Sequence, residues 1–123
     1  MKYMILIHGN PPTRELWEGF TDPERAEGLR AYAALDDDLH ASGELIVSEA
    51  LADPSLAKTV SVVEGRMMTT DGPFAEAKEH LAGFYLLDCE SIERAVEHAA
   101  RIPEAEFGLV EVRPVMDLSA FEL

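Results

Sequence analysis

Two stretches of the chain are apolar on both faces when read as strands, and nothing else in it narrows the available folds as much. Over residues 2 to 8, Tyr3, Ile5 and Ile7 alternate with Met4, Leu6 and His8. Over residues 81 to 89, Leu81, Tyr85 and Leu87 alternate with Ala82, Phe84 and Leu86. Successive strand side chains point to opposite faces, so both stretches belong at the centre of a sheet covered on two sides. Two helices are available as cover. The first is expected over 22–41: Thr21 and Glu24 stand in capping-box spacing, Pro23 suits a first turn, and Ser42-Gly43 closes the helix. Its inward stripe is Leu29, Tyr32, Ala33 and Leu39, with Ala26 and Leu35 at the margins and Asp36 in the middle. The second starts at Ser91, buries Ile92, Ala95, Val96, Ala99 and Ile102, leaves His98 at the surface, and ends before Pro103. Two helices cover one face. A partner sheet is the simplest cover for the other, so a homodimer with sheets packed face to face is expected.

The remaining runs complete the plan. Strands are expected over Glu44 to Ala50 and Lys58 to Glu64, with Glu64-Gly65 turning the chain into Arg66 to Thr70. A last strand runs from Leu109 to Val115, and Pro114 puts it near an edge. Between Gly9 and Phe20 the sequence reads as a polar loop carrying Trp17 and Phe20. The order is β-α-β, an inserted hairpin, then β-α-β, which is an α+β, ferredoxin-like split βαβ arrangement. At 123 residues, with no repeat or linker, one domain over 1–123 is expected.

Charge and composition exclude several functions. A formal charge of −14 leaves little Lys and Arg to displace counterions from phosphates, so no direct nucleic-acid binding and no anionic membrane partner is expected. No run reaches the roughly 20 apolar residues of a membrane span, and residues 1 to 7 are too short for a secretory leader. The single cysteine, Cys89, reads as a small buried side chain, and a cytoplasmic location follows from the lack of a disulfide framework.

Chemistry-bearing residues concentrate in Asp71-Gly72-Pro73-Phe74 and the charged Lys78-Glu79-His80 that follows. Asp-Gly is a strong turn pair, and the proline stiffens its exit. Asp71, Gly72, Pro73, Phe74, Lys78 and Glu79 are therefore candidate ligand-binding residues, joined by Arg25 and Trp17. Asp36 and His40 lie one helical turn apart, spaced to share a proton, and with Asp71 they are the candidate catalytic groups. The four histidines, His8, His40, His80 and His98, show no metal-ligand spacing, so neither a metal nor another cofactor is expected.

Read together, Met1-Lys2-Tyr3-Met4, Thr70-Asp71-Gly72-Pro73-Phe74-Ala75-Glu76 with Lys78-Glu79, Gly83-Phe84-Tyr85-Leu86, Ala99-Ala100-Arg101-Ile102-Pro103 and Val110-Glu111-Val112-Arg113-Pro114-Val115 resemble the YCII-related family, specifically its DGPF branch. The resemblance implies a dimeric α+β barrel in the bacterial cytoplasm, with some relatives linked to extracytoplasmic-function sigma factors and others acting as small-molecule lyases or dehalogenases. It also implies a catalytic pair made of a histidine just after the proline of the first helix and an aspartate before the proline that ends the second. Here Pro23 is followed by Glu24 and Arg25, and Pro103 is preceded by Ile102. Ala77 and His80 stand where the motif has Thr and Gln. The expected function is binding of a small molecule by a homodimer, with lyase or isomerase chemistry left open. The alternative is a regulatory interaction protein working with a sigma factor.

Overall fold

The computed structural model describes residues 1–121; residues 122 and 123, the end of the domain expected over 1–123, lie outside the described residues. Among the described residues, six strands and three α-helices form a small α+β fold. Strands β1 (Lys2–Gly9), β2 (Leu45–Ala50), β5 (His80–Asp88) and β6 (Val110–Pro114) make an antiparallel sheet in the order β2-β5-β1-β6. Strands β3 (Lys58–Val63) and β4 (Arg66–Asp71) pair only with each other. Their turn has φ of 52° at Glu64 and 78° at Gly65, the paired positive values of a two-residue hairpin turn.

Helix α1 (Pro11–Glu18) replaces the loop expected there. Asn10 caps it, accepting from the Thr13 amide at 2.9 Å while its own amide donates to Thr13 Oγ1 at 3.1 Å. The prolines that end β1 also suit a first helical turn, whose N–H groups have no partner within the helix. Helix α2 (Asp22–Ser42) carries the expected reciprocal cap between Thr21 and Glu24, and it ends on Gly43 in the left-handed region. Helix α3 (Ile92–Ala99) starts where the Ser91 hydroxyl accepts from the Arg94 amide.

Tyr3, Ile5, Ile7, Tyr85 and Leu87 bury one face of the sheet against Leu35 and Leu39 of α2, Ala95 and Ala99 of α3, and Ile102. Several expectations about this core are corrected. Leu35 is fully buried rather than marginal, while Leu29, Ala33, Ile92 and Val96 are exposed. His98 is only 4% exposed, because its Nε2 lies 3.0 Å from Oε1 of Glu44, which also accepts from Arg94 at 3.1 Å. That cluster ties α3 to the start of β2. On the opposite face Met4, Leu6, Phe84 and Leu86 stay half-buried. Cys89 is buried, as expected, and burial pushes its thiol up. Among the described residues no helix is long and apolar enough to cross a membrane.

Candidate functional site

Past the packed core, the helix-bearing face of the sheet opens into a cleft of about 660 Å³, within the usual size range of small-molecule pockets. Ile7, Ser48, Gly83 and Tyr85 form its floor, Tyr32 and Asp36 of α2 one wall, and Leu16 and Trp17 of α1 the other. The short 3-10 helix Pro103–Phe107 contributes Glu104 and Phe107.

Two glycines shape the cleft. A Cβ on Gly83 would come within 3.0 Å of the Glu49 carbonyl oxygen, so its absence lets β2 lie close across the floor. A Cβ on Gly28 would already touch the Trp17 ring at 3.6 Å, so a longer side chain there would displace the indole. Trp17 packs edge-on against Phe20 with ring centroids 6.0 Å apart.

The polar groups come in two pairs. The Tyr85 hydroxyl donates to Asp36 Oδ1 at 2.7 Å, and the Tyr32 hydroxyl donates to Glu104. Burial, and then the hydrogen bond to its partner carboxylate, raises each phenol well above the ordinary tyrosine value. Each phenol also feels the other pair's carboxylate, so the four groups act as one electrostatic cluster. Both phenols are therefore held as protonated donors. Each carboxylate spends one oxygen on a phenol and keeps the other as an acceptor. Among the described residues, neither Asp36 nor Glu104 pairs with a Lys, Arg or His.

The sequence matches the YCII-related domain over residues 1–119. The chain belongs to the YCII-related family. An uncharacterised protein of Rhizobium meliloti (strain 1021) is 33% identical to it over 117 residues, 94% of this chain and 92% of that protein.

Within this YCII-related domain, the residues singled out from the sequence are spread over several places. Trp17 and Asp36 line the cleft, as does His80 at the start of β5. His40 is exposed, and the hydrogen bond of Asp36 goes to Tyr85 instead. Arg25 lies over the Trp17 ring at 5.8 Å and donates to the Trp17 and Glu18 carbonyls at 3.1 and 2.7 Å, closing the end of α1. Asp71 is exposed and paired with Lys58 at the base of the hairpin, where the Gly72 amide donates to the Ala57 carbonyl at 2.7 Å. Pro73 is half-buried and Phe74 is 75% exposed. Lys78 and Glu79 flank a shallow groove that shares Asn10 and His80 with the cleft.

Tyr32, Tyr85 and Glu104 were not legible as site residues. Asp36 was the available signal, since a carboxylate in the inward stripe of a helix needs a donor facing it. Tyr32 stands one turn before it. Glu104 reads from the sequence as part of a solvated acidic pair with Glu106.

Proposed function

We propose that this protein is a small-molecule-binding homodimer of the DGPF branch of the YCII-related family, with the cleft as its ligand site. The observation that carries the proposal is the cleft itself: a largely apolar space into which two oriented carboxylates open with free acceptor positions. Asp36 is suited to lyase or isomerase chemistry, since a half-buried carboxylate oriented by a neutral donor and lining a cleft can take a proton from carbon or oxygen. Trp17 is in the wall with Arg25 over its ring, Lys78 and Glu79 belong to the shallow groove that adjoins the cleft at Asn10 and His80, and Asp71, Gly72, Pro73 and Phe74 form the turn leading to that groove.

The strand order β2-β5-β1-β6, with helices on one face and the hairpin inserted between β2 and β5, supports a ferredoxin-like plan. The half-exposed face of Met4, Leu6, Phe84 and Leu86 supports a second copy packed sheet to sheet, closing a dimeric α+β barrel in the cytoplasm.

Trp17, the single tryptophan of the chain, lies in the cleft wall and makes the test direct. Titration with a panel of small aromatic compounds should change its emission saturably. Ser48→Phe, which fills the floor, should abolish the change while the far-ultraviolet circular dichroism stays native. Saturable binding that survives Ser48→Phe would refute the cleft as the ligand site.

A further inference from the structure

We infer that the ligand of this cleft carries a positively charged nitrogen on an apolar body, with the charge held between Asp36 and Glu104 and the body against the aromatic wall. This rests on the reading of the cleft as a small-molecule site.

The lining has an unbalanced charge. Asp36, Asp53 and Glu104 line it beside His80 and a single arginine, Arg14, which is exposed on α1 and whose charge acts on Asp53; Glu49, opposite Phe84, directs its side chain to the other face of the sheet. His8, the histidine on β1, has Glu111 beside it at 3.4 Å. The groups touching Asp36 and Glu104 are phenols, which satisfy one acceptor position but leave the negative charge in place.

A contrast within the same molecule sharpens the point. Where the fold buries Glu44 for structural reasons, it supplies both Arg94 and His98 as partners. Asp36 and Glu104, also half-buried, receive no cation from the described residues. A carboxylate partly withdrawn from water without a countercharge is costly, and the cost disappears when a bound cation supplies one.

The wall fits the same ligand. Trp17, Phe20, Tyr32 and Phe107 line the cleft, and aromatic faces attract ammonium groups through the ring quadrupole. An anionic ligand would find the best-placed donors, the two phenols, already committed to carboxylates. At long range the −14 charge of the chain draws cations and repels anions.

Four probes of similar shape separate the possibilities: benzylamine, benzyltrimethylammonium, benzyl alcohol and benzoate, titrated at low salt against Trp17 emission and checked by calorimetry. The two cations should bind about tenfold tighter than the alcohol, with benzoate weakest. Asp36→Asn combined with Glu104→Gln should erase that preference, so that the two cations bind no tighter than benzyl alcohol. If the double variant fails to fold, Glu104→Gln alone should reduce the preference, and so should about 0.5 M salt acting on the native chain. The cation reading falls, and the cleft reading stands, if benzoate or benzyl alcohol binds as tightly as benzylamine, or if the preference survives these changes. If all four probes leave Trp17 emission and the calorimetric trace unchanged, both readings fall.

Discussion

Replacing Tyr85 by Phe removes one oxygen from the junction of core and cleft and leaves the ring where it is. Tyr85 is 5% exposed, sits opposite Ile5 on one side and Ser48 on the other, and donates to Asp36 at 2.7 Å. A hydrogen bond to a charged acceptor contributes about 1.5–3 kcal/mol, but Asp36 is only half-buried and water replaces part of the loss. The expected destabilisation is about 1–2 kcal/mol, or roughly 5 °C in Tm for a domain of this size. The pH dependence is the sharper measurement. Burial and the bond to Asp36 raise the folded-state phenol above its ordinary value of 10.0. A group raised in this way stabilises the fold fully below the unfolded value and loses that contribution as pH climbs above it toward the folded value. The stability gap between the native chain and Tyr85→Phe should therefore be constant near neutrality and shrink above about pH 10. Urea unfolding of both proteins across that range measures the gap, and near-ultraviolet tyrosinate absorption follows the phenols. A gap that holds constant to about pH 11 would refute the reasoning.

Two further outcomes are expected. Glu44→Gln leaves His98 and Arg94 facing a neutral amide and should destabilise the chain by about 2–3 kcal/mol. Burial pushes the Glu44 carboxyl up, but the hydrogen bonds from Arg94, Ser42 and His98 outweigh it and hold the group below its ordinary 4.5. A lowered value stabilises above the unfolded pKa and is lost as pH falls through the folded one, so native and variant melting curves should converge below about pH 4; parallel curves would count against the pairing. On the open sheet face, Leu86→Lys should turn a dimer into a monomer in sedimentation velocity without changing the circular dichroism. A native chain that sediments as a monomer at micromolar concentration would remove the face-to-face dimer.

Features fixed within four residues were readable from the sequence. The Thr21 to Glu24 cap, the Gly43 stop and the Glu64-Gly65 turn stand where local hydrogen bonding and positive φ require them. Helix α1 was missed for an equally local reason, since Asn10-Pro11-Pro12 serves as a strand stop and as a helix start. Other misses are long-range. His98 pairs with Glu44 across 54 residues, and Tyr32 with Glu104 across 72, so no window along the chain holds both members. Leu29 shows a third limit. Periodicity gives it an inward direction, but at Leu29 α2 has not yet reached the packed core at Leu35 and Leu39, and inward there means facing the cleft.

The same geometry gives the Asp71-Gly72-Pro73-Phe74 turn a mechanical role beside its proposed chemical one. Gly72 at φ 89° adopts a backbone that other residues resist, its amide is tied to Ala57, and Asp71 meets Lys58 across the hairpin base. These contacts fix the direction in which the chain leaves the hairpin. The next ordered element is β5, whose first residue, His80, lines the cleft, and whose Gly83 and Tyr85 form its floor. A turn that aims β5 therefore influences the cleft without any of its own side chains entering it. The hairpin adds a second consequence: register places Val60 opposite Thr69 and Val62 opposite Met67, which gives one of its faces an exposed apolar strip. A two-stranded ribbon is marginal in water by itself, so this strip, like the open face of the main sheet, is a further surface on which the proposed dimer can be tested. Stiffness at the turn and incompleteness of the hairpin then have one origin: the turn is the joint between a cleft built within the chain and an arm whose apolar face the chain leaves uncovered.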